Sequence, residues 1–356
     1  MGKFLADRFR YFEAYAPGEQ PRDRKYVKLN TNESPFPPAS GVARALAECA
    51  ETLNLYPDPT YAALRGKLAA LHGVTPDMVT VGCGSDEILD FIFRAFLSDR
   101  GAVFPDVTYG FYKVLAELYG IAYREIPLRD GFAVAPSDYA PTAPSGGNPA
   151  VVLAEPNAPT GIAAGEKAIT EILEADPLRP VVIDEAYADF SGVSAVPLLG
   201  KHKNLIVVRT FSKSRSLAGG RVGYCVASPE IIRDIDLIRF STNPYNLSRA
   251  AVAAAEASLD DDGYFKECVE TVVRTRDRFA ADLRAIGFDL SDSSANFVFA
   301  RCPEISGKRL AAVLRERGFL VRRFDGERIK DHLRITVGSR SDMAALFSEL
   351  KNIAEK

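Results

Sequence analysis

Three short runs constrain this chain most: AVVLAE (150–155), PVVIDE (180–185) and NLIVVRT (204–210). Each is apolar almost throughout, with no polar residue at every second position. Both faces of such a strand must be covered, which places it inside a sheet flanked by helices. Upstream, the same grammar repeats. MVTV (78–81) precedes SDEILDFIFRAFL (85–97), with acidic residues in the first helical turn. GAVF (101–104) precedes FYKVLAELYG (111–120), and AYREIPL (122–128) follows. Strands alternating with helices predict an α/β fold built on a mostly parallel central sheet.

The flanking regions read differently. Pro17, Gly18, Pro21, Pro35, Pro37 and Pro38 interrupt the first 40 residues, so this stretch is expected to be an irregular arm. Helical spacing covers 41–53 and 61–72. Four Pro and two Gly within 136–149 mark a surface loop. After a helix near 229–240, NPYNLSRAAVAAAEASL (243–259) opens a region of mixed order. It holds a long helix to about 286, NFVFA (296–300), a helix over 307–317, FLVRRF (319–324), HLRITVG (332–338) and a helix from 342. The expected organisation is an arm over 1–40, a large ligand-binding domain over 41–242 and a smaller α+β domain over 243–356.

Composition narrows the function. At 356 residues the chain suits about two domains. Its 44 basic and 47 acidic side chains leave a charge of −3, so no basic excess supports nucleic-acid binding. No apolar run approaches the ~18 residues of a membrane span. The start, MGKFLADRFRYF, has no signal-peptide core, and Ala6 stands where myristoylation needs Ser or Thr. Five scattered cysteines without a CxxC pair suit a reducing cytoplasm. The three histidines do not pair at metal-ligand spacing, so no metal is expected.

In an open parallel sheet, ligands bind beyond the carboxyl ends of the strands. AVVLAEP leads to Asn157. PVVID ends on Asp184, with Tyr187 three residues on. NLIVVRTFS leads through Thr210 and Ser212 to Lys213, with Arg221 eight residues later. MVTV leads to Gly82, Gly84, Ser85 and Asp86 at a helix start. Each has an ordinary alternative: Asp184 as a helix cap, Lys213 as a solvated loop lysine, Asn157 as a turn residue, GCGSDE as a plain strand-to-helix connection. The last is neither a dinucleotide fingerprint, since Glu87 replaces the third glycine, nor a P-loop, since no GK[ST] occurs. Together at one sheet edge, a lysine, a carboxylate and a helix start fit pyridoxal 5′-phosphate. Its aldehyde needs an amine, its pyridine nitrogen an acid, and its phosphate backbone N–H groups, hydroxyls and an arginine.

The motifs resemble those of the histidinol-phosphate aminotransferase family, fold type I pyridoxal-phosphate enzymes with a large domain and a smaller α+β domain. They are YAPG (15–18), LNTNESPFPP (29–38), YPDP (56–59), GSDE (84–87), YGFY (109–112), EPNAPTG (155–161), DEAYADF (184–190), RTFSKSRSLAGGRVGY (209–224), NPYNLS (243–248), ANF (295–297) and LRITVG (333–338). The resemblance implies that Lys213 bonds the cofactor and moves a proton between the substrate Cα and cofactor C4′. It implies that Asp184 pairs with the pyridinium nitrogen, that Asn157 and Tyr187 bond the phenolic oxygen, and that Tyr109 stacks on the ring. The Ser85 and Asp86 amides, Thr210, Ser212 and Arg221 would hold the cofactor phosphate, joined by Tyr56 of the partner subunit in a homodimer. Arg334 and Arg322 would receive the substrate's anionic end, with Tyr15 and Asn32 in the arm nearby. Adjacent strand residues face opposite ways, so only one of Arg322 and Arg323 is expected to face the site, and Arg322 matches the family's V-R.

The implied reaction moves the amino group of L-histidinol phosphate to a 2-oxo acid, 2-oxoglutarate. Threonine-phosphate decarboxylases and aromatic-amino-acid aminotransferases share these motifs. A non-catalytic cofactor-binding regulator would carry a DNA-binding extension for which this length leaves no room. Two positions depart from the family: Ser214-Arg215-Ser216 stands where small-aromatic-small is usual, and Gly220 replaces a commoner Leu.

Overall fold

The computed structural model describes residues 3–144 and 146–354. In chain order the elements are β1 (Val27–Leu29), α1 (Ser40–Ala50), α2 (Ala62–His72), β2 (Val79–Gly82), α3 (Gly84–Ile92), β3 (Ala102–Pro105), α4 (Phe111–Tyr119), β4 (Tyr123–Ile126) and β5 (Ala150–Ala154). Next come α5 (Gly165–Ala175), β6 (Val181–Asp184), α6 (Ala188–Ser191), β7 (Leu205–Thr210), β8 (Gly223–Ala227), α7 (Pro229–Thr242), α8 (Arg249–Leu259) and α9 (Asp262–Ala285). The chain ends with β9 (Asp289–Leu290), β10 (Phe297–Arg301), α10 (Gly307–Glu316), β11 (Phe319–Arg323), β12 (His332–Thr336) and α11 (Arg340–Ala354).

The larger sheet has the order β2-β8-β7-β6-β5-β3-β4. Its pairings are parallel except at β8, which runs against both neighbours. The apolar runs lie at its centre for the expected reason. Along β5, Val151 and Leu153 enter one core while Ala150, Val152 and Ala154 enter the other, and β6 and β7 divide likewise. A polar residue at either parity would be buried without a partner. Fully burying each Val, Leu or Ile contributes roughly 1.5–3 kcal/mol.

β8 was not legible as a strand, because its sequence reads as the tail of the lysine motif. Its direction matters to the site. Because it runs antiparallel, it begins at the edge where β5, β6 and β7 end, and Arg221 just before it is delivered there.

The smaller sheet has the order β1-β11-β12-β10-β9. The arm is therefore not wholly irregular: β1 pairs in parallel with β11, Val27 opposite Phe319. The arm is stitched across the mouth between the sheets. A second difference concerns residues 243–259. The sequence reading groups them with the C-terminal domain, yet Leu247, Ala254 and Ala255 lie in a core of the larger sheet, with α8 against α1 and α2. The last turns of α9 put Phe279 and Leu283 into the core of the smaller sheet, while Val272, nearer its middle, packs with Tyr187, Phe190 and Phe297 in a cluster between the sheets. Among the described residues no helix is long and apolar enough to cross a membrane.

Candidate active site

The carboxyl ends of β2, β5, β6 and β7 face a cavity of about 440 Å³, roofed by the arm and by β11 and β12. Of the predicted residues, Tyr15, Ser85, Asp86, Tyr109, Asp184, Tyr187, Thr210, Ser212, Lys213, Arg221, Arg322 and Arg334 line it. A wider surface groove of about 790 Å³ between α1, α2 and α8 holds none of these groups.

Lys213 follows β7 and is half-buried in the cavity wall. Its Nζ donates to the Thr31 carbonyl at 3.1 Å, and lies 5.8 Å from the Tyr187 ring centre. Burial, and then the nearby Arg334 charge, pull its amine down to about 8; Asp86 and Glu33 oppose this. A buried ammonium loses hydration that these carboxylates replace only in part.

Asp184 ends β6 at the cavity floor. Its carboxylate accepts from the Tyr112 hydroxyl at 2.8 Å and the Ala186 amide at 3.2 Å. Burial nevertheless raises it to about 6. Such a carboxylate is short of a cation. Tyr112 escaped the sequence reading, although it stands in the first turn of α4, only three residues after Tyr109, and meets that ring edge-on at 5.6 Å.

An anion cup lies at the start of α3. A Cβ added to Gly223 would sit 2.3 Å from the Gly84 carbonyl carbon and the Ser85 nitrogen. One added to Gly84 would sit 2.4 Å from the Arg221 guanidinium. The two glycines thus let Arg221 close onto the helix start, with Ser85 and Asp86 beside it. Arg221 donates to Ser212 Oγ at 3.4 Å and pairs with Asp86 at 3.3 Å. Thr210 and Ser212 hydroxyls bond each other at 2.9 Å. Arg221 reaches this place with φ +52°, in the left-handed region.

Arg322 and Arg334 are register partners on β11 and β12. Arg334 Nη2 donates to the Asn30 carbonyl at 3.1 Å, while its buried Nε has no partner. Phe297 and Phe324 lie 5.5 Å from its guanidinium carbon. Arg322 holds the arm through the Ala16 and Pro17 carbonyls at 2.9 and 3.2 Å. Arg323 turns away to pair with Asp325. Tyr15 meets Tyr109 edge-on at 5.9 Å.

Three predicted residues do not line the cavity. Asn157 spends both Nδ2 hydrogens, on the Val107 carbonyl and Thr160 Oγ1, each at 2.9 Å, and its Oδ1 accepts from Thr108 at 2.8 Å. It ties two loops together one layer behind the wall, and has no N–H left for a phenolic oxygen. Asn32 is likewise behind the wall: its Nδ2 donates to the Tyr187 hydroxyl at 2.9 Å and its Oδ1 accepts from Thr336 at 3.0 Å. Tyr187 is thereby left its own proton to donate. Tyr56 is 76% exposed and stacks on Tyr245, ring centres 4.5 Å apart.

Arg215 also faces away from the site. It donates to the Ser258 carbonyl at 2.8 Å and sits 4.1 Å from the Phe265 ring centre, joining the lysine loop to α8 and α9. A side chain at Gly220 would meet Leu217 at an ordinary 3.5 Å. Neither departure from the family pattern disturbs the site. Thr31 and Glu33 line the cavity too and were missed, as their position depends on the course of the arm.

The family model for aminotransferase class I and II matches residues 24–350. Histidinol-phosphate aminotransferase 1 of Bordetella parapertussis is 47% identical over 341 residues, 95% of each chain. Histidinol-phosphate aminotransferase 1 of Bradyrhizobium diazoefficiens is 45% identical over 354 residues, 99% of this chain and 100% of that one. The chain belongs to the histidinol-phosphate aminotransferase family. Among solved structures, histidinol-phosphate aminotransferase from Sinorhizobium meliloti in complex with pyridoxal-5′-phosphate superimposes with a TM-score of 0.85 at 27% identity, covering 93% of this chain and 92% of that one.

The residues fit that cofactor. A buried carboxylate short of a cation, a half-buried amine of lowered pKa and a glycine-opened anion cup lie in one cavity, matching the three ends of the molecule.

Proposed function

We propose that this protein is a pyridoxal-phosphate aminotransferase that takes the amino group of L-histidinol phosphate and passes it to 2-oxoglutarate, a step of histidine biosynthesis. The observation that carries the choice of donor is the Arg322–Arg334 pair sharing the cavity with Lys213. Two guanidinium groups in a partly dry wall suit a phosphate, which each can grip through two N–H groups. The partnerless Arg334 Nε is a donor in need of such an oxygen.

When bound, the cofactor acts as the electron sink for the substrate's Cα–H bond. The chain's own groups do the rest. Asp184 keeps the ring nitrogen protonated, and Tyr187 donates to the ring oxygen. The Ser85 and Asp86 backbone amides, with Thr210, Ser212 and Arg221, would hold the phosphate. Lys213 carries the proton at Nζ. The arm covers the site and keeps water from it. Asn157 supports these groups by holding the loop that bears Tyr109. The exposed Tyr56–Tyr245 stack supports a homodimer in which Tyr56 of the partner subunit reaches the cofactor phosphate. Sparse, unpaired cysteines support a cytoplasmic site of action.

The direct test is the visible spectrum of the loaded enzyme with L-histidinol phosphate alone. The band of the lysine-bound cofactor is expected to give way to that of the aminated form, with one ketone released per site. Carbon dioxide release from phosphothreonine instead would move the assignment to a decarboxylase. Arg334→Ala is expected to lower kcat/KM for the phosphorylated donor by about 2–5 kcal/mol, roughly 30- to 5,000-fold. Initial rates at low donor concentration check this; an unchanged kcat/KM would remove Arg334 from the substrate site.

A further inference from the structure

We propose that Asp189 is a positioning residue that sets where Lys213 stands relative to Tyr187. The inference rests on the roles given to those two residues above. Asp189 lies in α6, two residues after Tyr187. Its Oδ2 accepts from the Ser214 hydroxyl, and Ser214 directly follows Lys213. Its Oδ1 accepts from Arg209 Nη2 at 2.5 Å. One carboxylate therefore ties the Tyr187 helix to the Lys213 loop and anchors both to β7.

The anchor is itself held. Arg209 is buried and reaches Glu185, the residue after Asp184, at 3.5 Å. Glu185 is fixed by the Ala195 amide at 2.5 Å and the Ser194 hydroxyl at 2.7 Å. Among the described residues, other tethers of the loop lead elsewhere: Ser216 to Ser34 in the arm at 2.8 Å, Arg215 to Ser258 in α8, and Leu217 back to Phe211 at 3.1 Å. The Ser214–Asp189 bond is the hydrogen bond that joins the loop to α6. Ser214 is 5% exposed, so water does not readily replace it. Displacing a reacting group by about 1 Å can cost on the order of 100-fold in rate, which gives such a tether kinetic weight.

Ser214→Ala and Asp189→Asn in the cofactor-loaded full chain test this, with Lys213→Ala as control. Ser214→Ala removes one bond and leaves the Arg209 pair intact, so it is the variant least exposed to misfolding. It is expected to lower kcat roughly tenfold with KM within about twofold, and Asp189→Asn to lower it further. Hydrogen exchange should quicken at the Ser212, Ser216 and Leu217 amides while that of β5 and α3 stays unchanged. Unchanged kcat and local exchange in Ser214→Ala would overturn the proposal. Exchange quickened throughout the protein, with kcat unchanged, would also overturn it, showing a merely structural bond. An active Lys213→Ala enzyme would take away the function reading, and this proposal with it; an inactive one beside an unaltered Ser214→Ala enzyme would sink this proposal alone.

Discussion

Lys213→Ala is expected to lower turnover by about 10⁴-fold or more, since proton transfer alone supplies up to roughly that factor and the covalent link is lost besides. Lys213→Arg should be as inactive: it restores the charge but supplies no free amine. The wild-type chain adds a pH signature. With the amine near 8, about one molecule in ten is neutral at pH 7, against roughly one in several thousand for an ordinary lysine. The neutral amine is the form that bonds an aldehyde. Loading of cofactor-free protein with pyridoxal phosphate should therefore quicken about tenfold per pH unit below 8 and level off above it. Stopped-flow absorbance from pH 6 to 10 measures this. A rate still climbing at pH 10 would show that burial and Arg334 do not tune this amine.

Asp184→Asn should separate stability from activity. On the role proposed for Asp184 in the loaded enzyme, the substitution would remove the acidic partner of the ring nitrogen, a loss of about 3–5 kcal/mol, or roughly 200- to 5,000-fold in kcat/KM. In the cofactor-free chain the sign reverses. Burial raises the acid from 3.8 to about 6, so between those values the folded state binds more protons than the unfolded state. Stability then falls as pH rises through that window, by up to roughly 3 kcal/mol by pH 7. Asparagine carries no such charge. The cofactor-free variant is expected to be the more stable of the two in urea at pH 7, with the advantage fading toward pH 4. A variant that is less stable at pH 7 and equally active would refute the role given to Asp184.

Both experiments concern residues whose chemistry was readable early, and the contrast with Asn157 is instructive. Lys213 and Asp184 follow central strands, and the direction of a parallel strand fixes the sheet edge to which its end delivers a side chain. Asn157 satisfies the same rule, yet its amide is taken up by Val107 and Thr160. Edge position selects a neighbourhood; hydrogen-bond competition within it selects which atoms face the cavity. Tyr112 is the converse case, a residue found only when Asp184 is seen to need a donor.

The arm shows the same boundary. Its prolines correctly mark it as lacking long elements, but β1 pairs with a strand about 290 residues further on. Nothing local to VKL announces that partner, and Thr31, Glu33 and Asn32 acquire their places from it. Similarly, the small apolar residues of α8 suit either domain, and contact with α1 and α2 decides between them.

By itself, then, the sequence determined the doubly covered parallel sheet, the order of its strands with helices, and the lysine, carboxylate and helix start that meet at its carboxyl edge. These follow from local periodicity and from the handed geometry of strand-to-helix turns. Only the tertiary structure decided the antiparallel strand that brings in Arg221, the arm strand that roofs the cavity, the displacement of Asn157 and the Asp189 tether beneath Lys213. Each of those rests on contacts between residues far apart in the chain, whose geometry is set by packing and not by any neighbour in sequence.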